Sequence, residues 1–205
     1  WETGLAVPTD VNLCAFSELL RFPRQFFEEA ELEEPETATT SFRSQTSMSA
    51  SVRDAALAAG AIGFEISEWV ERRFSLPQPA LPDLSDNEPE AAAVLLRQEW
   101  QLGEKPISHM VRLMESKGIR IFSLAENTVE VNAYSLWKKG KPFVFLNTFK
   151  SAECSRFDAA HELGHLVLHQ DCKVTGREAE DQANRFASSF LMPKADLLAV
   201  VPRVN

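Results

Sequence analysis

"FDAAHELGHLVLH", residues 157–169, decides how this chain reads. It holds three of the four histidines in the 205-residue sequence, His161, His165 and His169, spaced four apart, with Glu162 directly after the first. Successive residues of an α-helix turn by about 100°. With His161 at zero, His165 falls about 40° round, His169 about 80° and Glu162 about 100°. Ala159, Ala160, Leu163, Leu166 and Val167 fill the other side, between about 140° and 260°. The stretch is an amphipathic helix with one apolar face and one face of His, Glu, His and His. Ser155 and Asp158 have the form of a capping box, which predicts a helix from Ser155 to about residue 170.

Two imidazoles one turn apart can reach a single zinc ion, and a glutamate beside the first reaches its flank. This is the His-Glu-x-x-His arrangement, two ligands plus a general base. The pattern is short, and the competing reading is a surface helix with solvated histidines. A third ligand separates the two readings. The next stretch, "REAEDQANRFASSFLMP" (177–193), predicts a helix that stops before Met192-Pro193. With Glu180 at zero, Asn184 lies about 40° round, while Phe186 and Phe190 lie near 240° to 280°, on the core side. Glu178 falls about 160° from Glu180, so at most one of the two faces the metal. Glu180 is the stronger candidate, with Asn184 beneath it as a partner for a ligating histidine; Glu178 is the alternative.

Working outward, three β-rich runs precede the histidine helix: "IRIFSL" (119–124), "VEVNAYSLW" (129–137) and "PFVFLN" (142–147). "KKGK" (138–141) reads as a hairpin turn between the last two. Phe143, Phe145 and Phe149 read as core. Further upstream, helices are expected over 52–74, 90–102 and 108–117, the last stopped by Gly118. "SLPQPALPDLSDNEP", with Pro77, Pro79, Pro82 and Pro89, reads as an extended linker. Residues 1–30 read as helical, with Pro8-Thr9-Asp10 as turn and cap. Six glutamates between residues 28 and 36 read as a solvated stretch. The expected fold class is α+β, mostly helical, with a small three-stranded antiparallel sheet packed on the active-site helices.

Composition narrows the function. A net charge of −9 makes the chain a poor generic partner for nucleic acid. No apolar run approaches the roughly 20 residues that span a bilayer, and "WETGLAVPTD" has no signal-peptide character. The three cysteines, Cys14, Cys154 and Cys172, are an odd number and far apart, which reads as free thiols in a reducing cytosol. A cytoplasmic protein without membrane contact is expected.

"RFDAAHELGHLVLH" followed by "EDQANRFASSFLMP" resembles the ImmA/IrrE family of zinc metallopeptidases, and "AYSLWKKGKPFVFLNTFKSAECS" fits the strand region before that family's active helix. The resemblance covers about residues 105 to 193. It implies Zn2+ held by His161, His165 and Glu180, with Glu162 as catalytic base, in agreement with the helical geometry. "WETGLAVPTDVNLCAFSELLRFPRQFF" resembles the tail of an Xre-type helix-turn-helix domain, which that family often carries. The expected organisation is a helix-turn-helix remnant over 1–30, a helical linker region over 31–89 and the metallopeptidase domain over 90–205. The helices that would enter a DNA groove lie before Trp1, so DNA contact is expected only through a domain largely missing from this chain.

Other residues carry secondary expectations. His169 is a candidate fourth ligand, substrate contact or helix C-terminal cation. Tyr134 is a candidate donor to an oxyanion or a packed strand residue. Cys172 is a candidate inhibitory thiolate, and His109 a surface or core histidine. The expected function is a zinc-dependent endopeptidase that cuts a cytosolic protein, a transcriptional repressor or antitoxin-like partner, with Glu162 assisting the attack of water. Its substrate is expected to pair with an exposed edge at 142–147. The alternative is a DNA-binding regulator or toxin-antitoxin component whose peptidase-like domain binds a partner without cleavage.

Overall fold

A two-residue turn sets the sheet. Lys139 and Gly140 both take positive φ, 50° and 75°, the pair of left-handed conformations that a tight hairpin needs and that glycine adopts without strain. They join β2 (Ala133–Lys138) to β3 (Lys141–Leu146) as an antiparallel pair, with Lys138 opposite Lys141. β1 (Arg120–Ser123) lies on the other side of β3 and runs parallel to it. The strand order is therefore β1-β3-β2. The sheet has three strands as expected, but it is mixed and not antiparallel. The reason lies in β3. Phe143, Val144, Phe145 and Leu146 are all buried, and a strand apolar on both faces takes the central position. This also removes 142–147 as an exposed edge.

The computed structural model describes residues 5–28, 35, 50–124, 133–170 and 174–194. The chain divides into two compact units, Trp1–Glu33 and Glu34–Asn205. In the first, α1 (Asp10–Leu20) starts at Thr9, whose hydroxyl accepts the Asn12 N–H at 3.4 Å, and a 3-10 turn follows at Arg24–Phe27. The second unit holds α2 (Ala50–Glu71), α3 (Pro89–Glu99), α4 (Met110–Ser116), the sheet, α5 (Ala152–Leu168) and α6 (Arg177–Leu191). The expected domain start at residue 90 falls inside this unit. The α2 helix, expected in a linker region, supplies core residues to it.

Alternation along the strands gives the sheet two different faces. Tyr134, Leu136, Phe143 and Phe145 pack with Ala56, Leu57 and Phe64 of α2. Ala133, Val144 and Leu146 join the larger core formed with α3, α4, α5 and α6. Phe149, beyond the end of β3, is exposed and belongs to neither core. Two bonds lock the last turn of α5, where carbonyls lack helical partners. The Trp137 indole N–H donates to Leu166 O at 3.1 Å, and the Leu84 N–H donates to Val167 O at 2.8 Å. No helix among the described residues is long and apolar enough to cross a membrane.

Candidate metal centre

The α5 helix begins at Ala152, capped by Ser151, whose hydroxyl accepts the Cys154 N–H at 3.3 Å. The cap expected at Ser155 is therefore one turn too late. Ser151 takes the role because it sits in the extended conformation that a cap needs, φ −60° and ψ 157°. The predicted faces are in place. Ala159, Ala160, Leu163, Leu166 and Val167 are buried in the core, and α6 spans Arg177–Leu191 with Phe186 and Phe190 fully buried.

The approach of α6 to α5 depends on Gly164. A Cβ there would stand 3.0 Å from the Phe186 ring and 3.3 Å from Ala183 Cα. A methyl group there would make the Phe186 ring or the α6 backbone give way slightly, in a close-packed interior with little slack. At this closeness Glu180 reaches across. Its carboxylate lies 3.3 Å from His161 Nε2 and 3.2 Å from His165 Nε2. The two Nε2 atoms are 3.0 Å apart. His161, His165 and Glu180 are thus one group of three donors, all within 4.8 Å of one another. Glu178 is exposed and outside that group.

The donor set fits a small divalent cation. Donors at about 2.0–2.1 Å around a tetrahedral zinc are about 3.3 Å apart, close to the three separations seen. Each imidazole presents Nε2 to the shared point and has a partner on Nδ1. His161 Nδ1 is 3.0 Å from Asn184 Oδ1, and His165 Nδ1 is 2.9 Å from His169 Nδ1. The electrostatics also favour a cation. Burial pulls the His161 pKa down, but the Glu180 hydrogen bond and the charges of Glu162 and Glu180 outweigh it and hold it above the ordinary histidine value. His169 is shifted the other way, first by burial and also by the neighbouring His165 and His161, against the pull of Gln182.

Glu162 is 3% exposed, buried between α5 and β2. The Ser135 hydroxyl donates to its Oε2 at 2.6 Å. A buried carboxylate needs such a donor, because desolvation without compensation costs several kcal/mol in order of magnitude. Sequence reasoning missed Ser135. The available signal was a small polar residue inside an otherwise apolar strand. Gln182 was missed too: it lies about 200° from Glu180 on the helical wheel, so helical spacing gave no sign of it. Its Oε1 is 3.0 Å from His169 Nε2.

Three other candidates stand outside the ligand group, and a fourth outside the described residues. Tyr134 faces α2, where its hydroxyl donates to Ala56 O at 2.8 Å, and burial drives its pKa far above the usual tyrosine range. It is a packed strand residue on the face opposite Glu162, because adjacent strand residues point to opposite sides. His169 is outside the ligand group, with each ring nitrogen directed at another side chain. His109 caps α4. Cys172 lies outside the described residues.

The model of the IrrE N-terminal-like domain, the family Peptidase_M78, matches residues 114–204, from within α4 onward. No curated protein and no solved structure matches the chain. The matched span contains the sheet, both helices of the centre and every residue named in it. Over residues 114–204 the chain is similar to the IrrE N-terminal-like domain, a family of metallopeptidase-like proteins.

Proposed function

We propose that the protein is a zinc-dependent endopeptidase of the cytoplasm, acting on a protein substrate, a transcriptional repressor or antitoxin-like partner. One observation carries the reading: His161, His165 and Glu180 converge on one point, and Glu162, next to His161 in sequence, is buried and hydrogen-bonded to Ser135. Two neutral imidazoles and one carboxylate with a nearby glutamate are the donor set of catalytic zinc sites, which keep a position open for water or substrate. Zinc, when bound, supplies a Lewis acid that polarises a peptide carbonyl and makes water acidic.

The protein side chains do the rest. His161 and His165 from α5 and Glu180 from α6 would hold the ion. Glu162 accepts a proton from the attacking water on its carboxylate and returns it to the leaving amine nitrogen. The Ser135 bond to Oε2 fixes the rotation of that carboxylate, so the proton transfer needs no reorientation. The core face of α5 and the close contact at Gly164 keep the two helices at the separation that the ligands require.

The test is Glu162→Gln. It is expected to leave about one zinc per chain by elemental analysis and to lower peptide-bond cleavage by about 10²–10⁴-fold. The substrate is found first, as the partner that this variant retains and the wild type cuts. A variant that keeps both zinc and the full cellular effect of the wild type would favour a regulator that binds without cutting. Protein that takes up no zinc at neutral pH would end the metallopeptidase reading itself.

A further inference from the structure

The proton order of the centre is set outside the three ligands. A neutral imidazole carries one proton, on Nδ1 or on Nε2. For His165 to offer its Nε2 lone pair to a cation, its proton must sit on Nδ1. That atom is 2.9 Å from Nδ1 of His169, which must then be the acceptor. The proton of His169 is therefore on Nε2, 3.0 Å from Oε1 of Gln182. A carbonyl oxygen only accepts, so the chain closes with every proton placed. The opposite order would make Nε2 of His165 a donor. It would aim a proton at His161 Nε2, 3.0 Å away, and at Glu180, on the point where the ligands converge.

From this we propose that His169 and Gln182 are positioning residues that select the metal-binding tautomer of His165. The proposal rests on the reading of the centre as a metal site. Gln182 breaks the symmetry of the histidine pair: two facing Nδ1 atoms can share a proton in either sense, and an amide with Oε1 turned to His169, as placed here, allows one. The helix α6 thus acts on the centre three times. Glu180 is a ligand, Asn184 accepts directly from His161, and Gln182 reaches His165 through His169. His161 needs no relay because Asn184 lies beside it. His165, one turn further along α5, is served through the third histidine, one turn further again. The fourfold spacing of His161, His165 and His169 then has a use for all three members: two hold the ion and one orders the second.

The test measures zinc affinity by competition with a chromophoric chelator, for the wild type, His169→Leu, His169→Asn, Gln182→Leu and the double variant His169→Leu/Gln182→Leu. Nitrogen-15 spectra of the zinc-loaded wild type report which nitrogen of each histidine is protonated. Partners of this kind typically contribute about 10–100-fold in metal affinity. His169→Leu is expected to lose that much. His169→Asn, whose Oδ1 can stand where Nδ1 stood, is expected to recover most of it, which a packing role would not produce. Gln182→Leu is expected to lose roughly tenfold, and the double variant to be no weaker than His169→Leu alone, because Gln182 acts through His169. The spectra are expected to place the protons on Nδ1 of His165 and Nε2 of His169.

Wild-type affinity in both His169→Leu and Gln182→Leu, or losses that add in full in the double variant, would overturn the proposal. So would a His165 that binds zinc through Nδ1. If His169→Leu does not fold, Gln182→Leu at its half-buried site and the wild-type spectra decide alone. A wild type that binds no zinc would overturn the metal-centre reading. A wild type that binds zinc with variants that bind it equally well would overturn only this one.

Discussion

Tyr134 and Ser135 are neighbours on β2, yet they serve opposite faces of the sheet. On one side the Tyr134 ring stacks on Phe145 with centroids 4.5 Å apart, and its hydroxyl donates to Ala56 O of α2. On the other side the Ser135 hydroxyl holds Glu162 on α5. The α2 face is an aromatic layer: Phe64 meets Phe143 edge-on at 4.8 Å, and Phe122 stacks over Phe145 at 5.7 Å. The α5 face brings a carboxylate and an imidazole, Glu162 and His165, into the buried interior. Burying such groups opposes folding unless they are bonded. The α2 face is therefore apolar apart from the Tyr134 hydroxyl, while the α5 face, part of the larger core, also holds bonded polar groups. Changes on the first should move stability alone, and changes to the polar groups on the second should move chemistry as well.

The largest expected effect on the stability side comes from Phe64→Ala. Phe64 is 3% exposed and touches two phenylalanines of β3. Its loss should cost about 3–5 kcal/mol of unfolding free energy. Thermal and denaturant unfolding measure this directly. The fraction that remains folded should still take up about one zinc per chain. A folded Phe64→Ala protein that cannot bind zinc would mean that the two faces are not separable.

Ser135→Ala comes next. Removing the donor to the Glu162 carboxylate should lower turnover by about 10–150-fold, in keeping with about 1.5–3 kcal/mol for a hydrogen bond to a charged group. Zinc content should not change, because the Ser135 hydroxyl bonds to Glu162, which is not one of the three ligands. Tyr134→Phe is the reciprocal experiment one residue away. It should cost about 1 kcal/mol of stability, a neutral hydrogen bond, and leave turnover per folded molecule unchanged. If Tyr134→Phe lowered turnover and Ser135→Ala only lowered the melting temperature, the assignment of the two faces would be reversed, and Tyr134 would regain the oxyanion role that its spacing allowed.

How much of this was legible in the sequence depended on range. The helical period of α5 and α6 places His161, His165, Glu180 and Asn184 correctly, because residues on one helix keep a fixed angular relation whatever surrounds them. The Lys139-Gly140 turn was equally legible, since its backbone demands are local. The sheet order was not. Whether β1 pairs with its sequence neighbour or crosses to β3 is decided by long-range burial, and the apolar content of β3 had to be weighed against the habit of consecutive strands to pair. The role of α2 was hidden for the same reason, since its partners Phe143 and Phe145 lie some 80 residues downstream. Ser135 and Gln182 were beyond reach because each acts across a contact between elements, and no single-element period reports such a contact. The start of α5 was missed by one turn because Ser151 and Ser155 both offer a capping hydroxyl, and only the backbone conformation chooses between them.

The smallest expected effect concerns the end of α2. Glu71 accepts from Arg120 of β1 at 3.2 Å and pairs with Lys141 of β3, so one carboxylate ties the helix to two strands. Arg120 in turn donates to Gly118 O at 3.1 Å and to Pro77 O at 3.3 Å. Burial pushes the Glu71 carboxyl up, but the bonds from Lys141 and Arg120 outweigh it, and its pKa lies below the ordinary glutamate value. A carboxyl held low when folded stabilises the protein at any pH above its unfolded pKa of about 4.3, and that contribution fades as pH falls through the lower folded value. The stability difference between the wild type and Glu71→Gln should therefore be constant near neutrality and shrink below about pH 4.3. Lys141 is partly exposed, and water screens its share, so the difference should be about 1 kcal/mol or less. Denaturant unfolding at pH 7 and at pH 3.5 measures it. A difference that grows on acidification would mean that Glu71 is protonated in the native protein and that the clasp is held by Arg120 and its carbonyl partners alone. Zinc binding at pH 7 should not notice the substitution, because the clasp ties down the α2 end of the sheet and the centre is built on α5 and α6.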